Sequence, residues 1–424
     1  MKNDFKRFDM AKPPVRTRWF LKPLTKLLSL PDMIKHRPVI RRHGTEGLKP
    51  PYLLLCNHNA FMDFKVATQI IYPDRGNYVV AIDGFIGREW LLRQVGCICK
   101  RKFTNDATLI RQLRRVIQRG DIAVVYPEAR YSLCGTTAVL PESLGKFCRL
   151  LDVPVATLIC HGHHVNSPFW NLHDRGVKPT EADFSLVLTR EDLHSKSTDE
   201  INRILVDAFQ YDDFAWQKER GIRITYPRRA EGLHKVLYQC PCCGTEFEME
   251  SSGSILRCRH CGKEWELTEL SELRAVRPGQ GEEKPVTEFT HIPDWYEWER
   301  LQVRREVEAG TYSSGDLPVH VDTLPKDRFY RLGNGVFRHD MNGFHVEGTD
   351  VDGDPFRMDI PVSAAYSVHI EYEYLGKFGD CIDLNTLTDT WYTYPEVAPF
   401  PGARPFSVTK IALATEELYF HSKH

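Results

Sequence analysis

No run in this sequence approaches the roughly 18 consecutive apolar residues of a membrane-crossing helix. The basic start also lacks the apolar centre and small-residue cleavage site of a secretory signal. These absences argue against a spanning anchor and an exported chain, so a cytoplasmic location is expected. Net charge is nearly absent too, at −1, but this average hides segments of opposite character. The first fifty residues carry thirteen Lys or Arg against four acids, a local balance of +9. Twelve cysteines do not imply disulfides here, because Cys56, Cys148 and Cys160 sit in core-like runs and four others pair at metal-ligand spacing. A reducing compartment fits. With 42% hydrophobic and 27% charged residues, the 424-residue chain has ample material for two to four globular domains.

The cationic segment from Trp19 to Ile34 mixes apolar clusters with Lys22 and Lys26, and prolines divide it into short pieces. It reads as a membrane-facing stretch, aromatic and Leu side chains inward and cations toward anionic headgroups, with packing on the domain's own core as the alternative. After Pro50-Pro51 the apolar run Tyr52–Cys56 reads as a buried strand, and it delivers Asn57-His58-Asn59-Ala60-Phe61-Met62-Asp63. A histidine at a strand end with a carboxylate one helical turn on can be held in one tautomer and made a better base. With seventeen histidines, about one His-x4-Asp arises by chance, so downstream support is needed. Strands then alternate with helices: Asn77–Ile82, Gly96–Cys99 ending in Lys100-Arg101-Lys102, Ile122–Tyr126 ending in Pro127-Glu128-Ala129-Arg130-Tyr131-Ser132, and Val153–Cys160. The alternation predicts an α/β sheet with reacting groups at strand ends. His161, His163 and His164 close the last of these strands; lacking a carboxylate or Cys at ligand spacing, they read as pocket lining or structure. Residues 198–220 read as one long amphipathic helix completing the domain.

Four ordered landmarks make the chain from about 40 to 215 resemble the phospholipid-synthesis acyltransferases of the lysophosphatidic acid acyltransferase type. The family's His-x4-Asp motif is met by His58 and Asp63, and its Gly, short strand and basic residue by Gly96 to Lys102. Ungapped, the motif's arginine falls on Lys102, with Arg101 adjacent. Pro-Glu-Gly-Thr-Arg-Ser corresponds to Pro127–Ser132, with Ala129 in place of Gly and the arginine moved to Arg130; the strand opening on Pro-Val corresponds to Pro154-Val155. The resemblance implies a glycerolipid-acyltransferase-like sheet with flanking helices. It implies an O-acyltransferase moving a fatty acyl group from acyl-CoA or acyl carrier protein to a lysophospholipid or glycerol-phosphate-like hydroxyl. His58 would be the general base with Asp63 behind it, and Arg101, Lys102, Glu128 and Arg130 would hold the acceptor. Such an enzyme would work peripherally on anionic membrane. A lipid-binding scaffold without activity is the first rival.

In the second half, Cys240-x2-Cys243, fourteen residues, then Cys258-x2-Cys261 spell a structural zinc ribbon, each pair followed by a glycine. A ribbon protein acting in partner or nucleic-acid binding is the second rival, but the acidic stretch Glu246–Glu250 argues against nucleic acid. Residues 277–285 read as a linker and 293–308 as a charged helix. Beyond 316 strands follow, with a hairpin at Asn342-Gly343, a second hairpin tip in preference to a calcium loop at 350–354, further strands at 367–374 and 391–394, and a closing helix at 407–420. In order of elements this part faintly resembles pleckstrin-homology-like domains. The expected partition is a basic N-terminal segment at 1–50, an acyltransferase domain at 51–236, the ribbon at 237–275, a linker and helix at 276–312 and a β-rich domain at 313–424.

Overall fold

The computed structural model describes residues 7–373, 379–395 and 406–423. Lys2, Asp4 and Lys6 of the N-terminal charge balance, and Tyr374 at the end of an expected strand, lie outside them. The chain divides into two compact units. One comprises 9–100 and 106–224; the other takes in the chain from Thr225 onward together with Arg7, Phe8 and 101–105.

The first unit is built on seven strands: β1 (Val39–His43), β2 (Leu53–Cys56), β3 (Gly76–Ala81), β4 (Ile98–Lys100), β5 (Ile122–Val125), β6 (Val155–His161) and β7 (Glu181–Leu188). They form one sheet in the order β1-β7-β6-β2-β5-β3-β4, parallel except for the β6/β7 pair. β2 is apolar and buried at every residue, as a central parallel strand covered on both faces must be. β1 lies inside the stretch read as an N-terminal segment, and its Val-Ile-Arg-Arg-His composition, mostly exposed, suits the edge it occupies beside β7.

Helices cover the sheet: α1 (Leu21–His36), α2 (Met62–Ile71), α3 (Glu89–Gln94), α4 (Ala107–Gln118), α5 (Leu144–Leu151), the single turn α6 (His163–Asn166), α7 (Arg190–Ser195), α8 (Thr198–Ala208) and α9 (Asp213–Glu219). In α4, Leu109, Leu113, Val116 and Ile117 recur on one face and enter a core with Leu53, Leu55, Ala123 and Val155. Its cap is Asp106, whose carboxylate accepts the Thr108 N–H. Two expectations are corrected. The segment 21–36 is one helix despite its prolines: Pro23 falls in the first turn, where N–H groups have no intrahelical partner, and Pro31 is accommodated in the interior. The helix read over 198–220 is two, because the Asp212 carboxylate accepts the N–H groups of Phe214 and Ala215 and starts α9 afresh.

The second unit begins with the ribbon strands β8 (Met249–Ser252), β9 (Ile255–Cys258), β10 (Glu264–Leu267) and β11 (Leu273–Arg277), a four-stranded sheet in antiparallel sequence order. α10 (Ile292–Glu308) sets Trp295 edge-on to Trp265 at 5.0 Å. Seven antiparallel strands follow: β12 (Leu317–Thr323), β13 (Tyr330–Asp340), β14 (Gly343–Asp350), β15 (Pro355–Pro361), β16 (His369–Glu371), β17 (Cys381–Asn385) and β18 (Thr390–Tyr394). Their order, β15-β14-β13-β12-β18-β17-β16, places the first strand beside the last. Residues 350–354 form the hairpin tip between β14 and β15. The closing helix α11 (Val408–His421) packs on α10, where Arg300 and Arg304 meet its buried Glu416 and Glu417.

Candidate active site

Asn57 fixes the chain as it leaves β2. Its side-chain oxygen accepts the Cys160 N–H at 2.8 Å and its amide donates to the Cys160 carbonyl at 2.9 Å, tying the ends of β2 and β6 together. His58 follows, with its backbone N–H on Glu128 Oε2 at 3.2 Å and its ring between Tyr126 and Tyr131, each centroid 4.4 Å away. Its Nδ1 faces Asp63 Oδ2 at 3.3 Å, while no hydrogen bond to its Nε2 occurs among the described residues. A quarter of the side chain is exposed. The ring is thus held at one nitrogen and open at the other.

Asp63 is fully buried, and its carboxylate is paired at both oxygens. Oδ2 accepts the N–H groups of Asn59 at 2.6 Å and Ala60 at 2.9 Å as well as facing His58; Oδ1 lies 2.5 Å from His163 Nδ1. Burial by itself would raise the Asp63 pKa, but the bonds from His163 and His58 outweigh it and hold the group at about 2. Glu128 is the opposite case. Burial, reinforced by the Asp63 charge, pushes it up to about 8 against the opposing pull of the His58 N–H and Arg130. Near neutrality the site therefore holds one ionised and one protonated carboxyl, the arrangement by which one pocket serves acid and base roles.

The loop after β5 is pinned to the histidine: Ser132 N–H donates to the His58 carbonyl at 2.8 Å. Ala129 has φ of +56°, a left-handed conformation that a glycine adopts without strain. The backbone shape that glycine would favour is retained although the residue is not. Arg130 is buried in this loop, and Tyr131, at the place expected of an arginine, covers the His58 ring.

Of the residues singled out in the sequence, His58, Asp63, Glu128 and Arg130 fall in the first unit, with His58 bonded to both Asp63 and Glu128. Arg101 and Lys102 are placed elsewhere. Both belong to the second unit, where buried Arg101 donates to the Leu324 carbonyl and the Thr390 hydroxyl and Lys102 lies 3.6 Å from Asp383 and 3.8 Å from Glu371. These interactions already engage the cations expected to meet an acceptor phosphate. Two other residues enter the site instead: Tyr211, which the sequence reading passed over, donates to Asn59 Oδ1 at 3.0 Å, and His163, read from sequence as pocket lining or structure, joins Asp63. Tyr211 reaches inward because the chain is broken between α8 and α9. A carboxylate and a thiol, Asp63 and Cys160, also approach His163, a meeting that its local spacing did not reveal.

The four thiols Cys240, Cys243, Cys258 and Cys261 gather within 4.8 Å of one another, with Sγ–Sγ separations of 3.7 Å for Cys240/Cys261 and 3.8 Å for Cys243/Cys258. A tetrahedral ion with metal–sulfur bonds of about 2.3 Å sets such edges at about 3.8 Å, so the set can hold a metal.

Comparison with known proteins adds three findings. No curated protein matches the chain by sequence. Among solved structures it is similar to the 1-acyl-sn-glycerophosphate (LPA) acyltransferase PlsC from Thermotoga maritima, at 12% identity and a TM-score of 0.36, over 45% of this chain and 79% of that one. The family model described as Acyltransferase matches residues 39–161, the span from the first residue of β1 to the last of β6. The chain therefore carries, over residues 39–161, a domain of the acyltransferase family, with His58, Asp63, Glu128 and Arg130 inside it.

Proposed function

We propose that this domain transfers a fatty acyl group from a thioester donor, acyl-CoA or acyl carrier protein, to the hydroxyl of a lysophospholipid or glycerol-phosphate-like acceptor. The observation that carries the reading is the His58 ring, held at Nδ1 by a buried carboxylate and open at Nε2. Nε2 takes the acceptor's proton as its oxygen attacks the thioester carbonyl; the Asp63 charge stabilises the imidazolium; the proton then passes to the departing thiolate. One ester forms, one thioester breaks and one thiol is released, with no acyl-enzyme. Glu128 fixes the backbone of His58, and Arg130 is the cation of the expected acceptor set that lies in the same unit, suited to a phosphate.

The reading places the domain peripherally on anionic membrane at the cytoplasmic face. Supporting it, α1 buries Ser29 and His36 but leaves Leu27, Leu28 and Ile34 at 60%, 66% and 72% exposure among Lys22, Lys26 and Lys35. Phe61, inside the His58–Asp63 loop, and Trp90 of α3 are also exposed. No helix among the described residues is long and apolar enough to cross a membrane. In the ribbon, zinc is the ion proposed for the four cysteines. A set of four thiolates leaves no open coordination position, so the metal's part is to hold the ribbon together.

The test is release of free thiol by the full-length protein presented with long-chain acyl-CoA or acyl carrier protein and a panel of lysophospholipids and glycerol phosphate on anionic vesicles. Acceptor-dependent thiol release with a matching ester product is the expected result. Thiol release that no acceptor stimulates would remove the proposal.

A further inference from the structure

The His58–Asp63 pair does not stand alone, because Asp63 answers to a second imidazole one hundred residues later. Its Oδ2 takes three donors from its own loop, His58 Nδ1 and the N–H groups of Asn59 and Ala60, whereas Oδ1 is held by His163 Nδ1. Bonds to one oxygen leave a carboxylate able to turn about its Cβ–Cγ bond; a donor on the other oxygen sets its plane and hence the angle at which Oδ2 meets His58. His163 is itself rigidly placed. It sits between Gly162 and His164, whose backbone N–H groups both donate to the buried Asp213 carboxylate, at 3.0 and 2.7 Å. Gly162 has φ of +85°, and a Cβ there would lie 2.6 Å from the Trp216 ring, so the loop is also fixed against α9. His163 Nε2 is buried without a hydrogen-bond partner, which fits a neutral ring whose proton is on Nδ1, toward Asp63. The family match ends at His161, two residues short of it.

Resting on the acyl-transfer reading above, we propose that His163 is a positioning residue, which orients the Asp63 carboxylate and tempers its charge, thereby setting the basicity and aim of His58. The tempering follows from hydrogen-bond competition. A carboxylate that donors already satisfy supports a neighbouring imidazolium less strongly, so removing the His163 donor raises the His58 pKa while loosening its geometry. The other titratable groups facing this cluster are Cys56 at the end of β2, Tyr126, Glu128, Arg130 and Tyr131 after β5, Cys160 from β6, His164 in α6, Tyr211 ahead of α9 and Asp213 at its first residue. They remain in place in the variants below and act equally on each.

The experiment compares the full-length wild type with His163→Asn, whose amide nitrogen can occupy the place of Nδ1, and His163→Leu, which has no donor. Two measurements are made: the pH titration of the His58 ring by nitrogen-15 NMR, and initial-rate thiol release against pH. In His163→Leu the His58 titration should move up by about half a unit to one unit. kcat should fall about 10- to 100-fold, with the acidic limb of the profile displaced likewise and KM for the thioester within about twofold. His163→Asn should stay within about threefold of wild type and titrate like it. A folded His163→Leu that titrates His58 at the wild-type position overturns the proposal, as does an Asn variant shifted as far as the Leu one. Should the Leu variant not fold, His163→Gln, which carries its donor one bond further out, must show the shift, and a wild-type titration there is equally fatal. Because the NMR reading needs no turnover, a wild type that releases no thiol with any acceptor defeats the acyl-transfer reading separately from this one.

Discussion

His58 is the residue on which the proposed chemistry stands. Losing a general base costs roughly 10²- to 10⁴-fold in rate, so His58→Ala should lower turnover by that factor while leaving folding and donor binding close to wild type. Asp63→Asn should act in the same direction, because it removes the charge supporting the imidazolium and can invert the tautomer. Initial-rate thiol release checks both; an undiminished His58→Ala rate would make the motif a coincidence of spacing. Glu128 carries a prediction about stability. Its folded carboxyl keeps a proton up to about 8, while the unfolded chain releases it near 4.5. Between those values the folded state binds more protons, so this group's contribution to stability falls as pH rises through the window. Asp63 has the opposite sign: with its pKa lowered from 3.8 to about 2, it contributes fully above the unfolded value and loses the contribution as pH falls through the folded one. Glu128→Gln should therefore flatten the decline in urea midpoint between pH ~5 and ~8; an unchanged slope would show that Glu128 is ionised in the folded protein.

Among the elements, α1 shows how local rules mislead. Pro23 and Pro31 read as interruptions, yet a proline in the first turn forfeits no intrahelical bond, and the helix is anchored from outside by Gln69 on the Lys26 carbonyl and His36 on the Val177 carbonyl. The apolar side chains left exposed on it carry the membrane prediction. Leu27→Ser with Leu28→Ser should weaken binding to anionic vesicles, itself salt-sensitive, without altering the urea midpoint, since neither side chain is buried. Equal vesicle binding by the double variant would assign that face another role. The ribbon follows its sequence closely, because each Cys-x2-Cys turn is a local structure. Purified protein should hold one zinc per chain, and Cys258→Ser should lose it and become protease-sensitive between about 236 and 275, since thiolate ligation and folding of such a ribbon are coupled. Metal analysis and limited proteolysis read this directly. A metal-free wild type with the same protection would count against a bound ion.

For the whole molecule, the chain does not pass through its two units in simple succession. Residues 101–105 belong with the part beginning at Thr225, and the buried Arg101 guanidinium is held by groups there. Charged hydrogen bonds of this kind contribute about 1.5–3 kcal/mol each, so Arg101→Ala should destabilise the second unit by about that amount, seen as an earlier unfolding transition in denaturant. A phosphate-binding role for Arg101 would instead show as a higher acceptor KM with stability unchanged. The sequence by itself determined whatever depends on near neighbours: the buried β2 strand, the His58–Asp63 spacing, the alternation of strand and helix through β6, and the paired thiols. These follow from hydrophobic period, turn residues and ligand spacing, all read within a few residues. Only the tertiary structure decided that His163 meets Asp63 one hundred residues away, that Tyr211 enters the site through a break in a helix, and that Arg101 is bound to Thr390 across 289 residues. Such partners depend on where the folded chain returns, and a side chain's local sequence carries its chemistry but not the address of the group that will satisfy it.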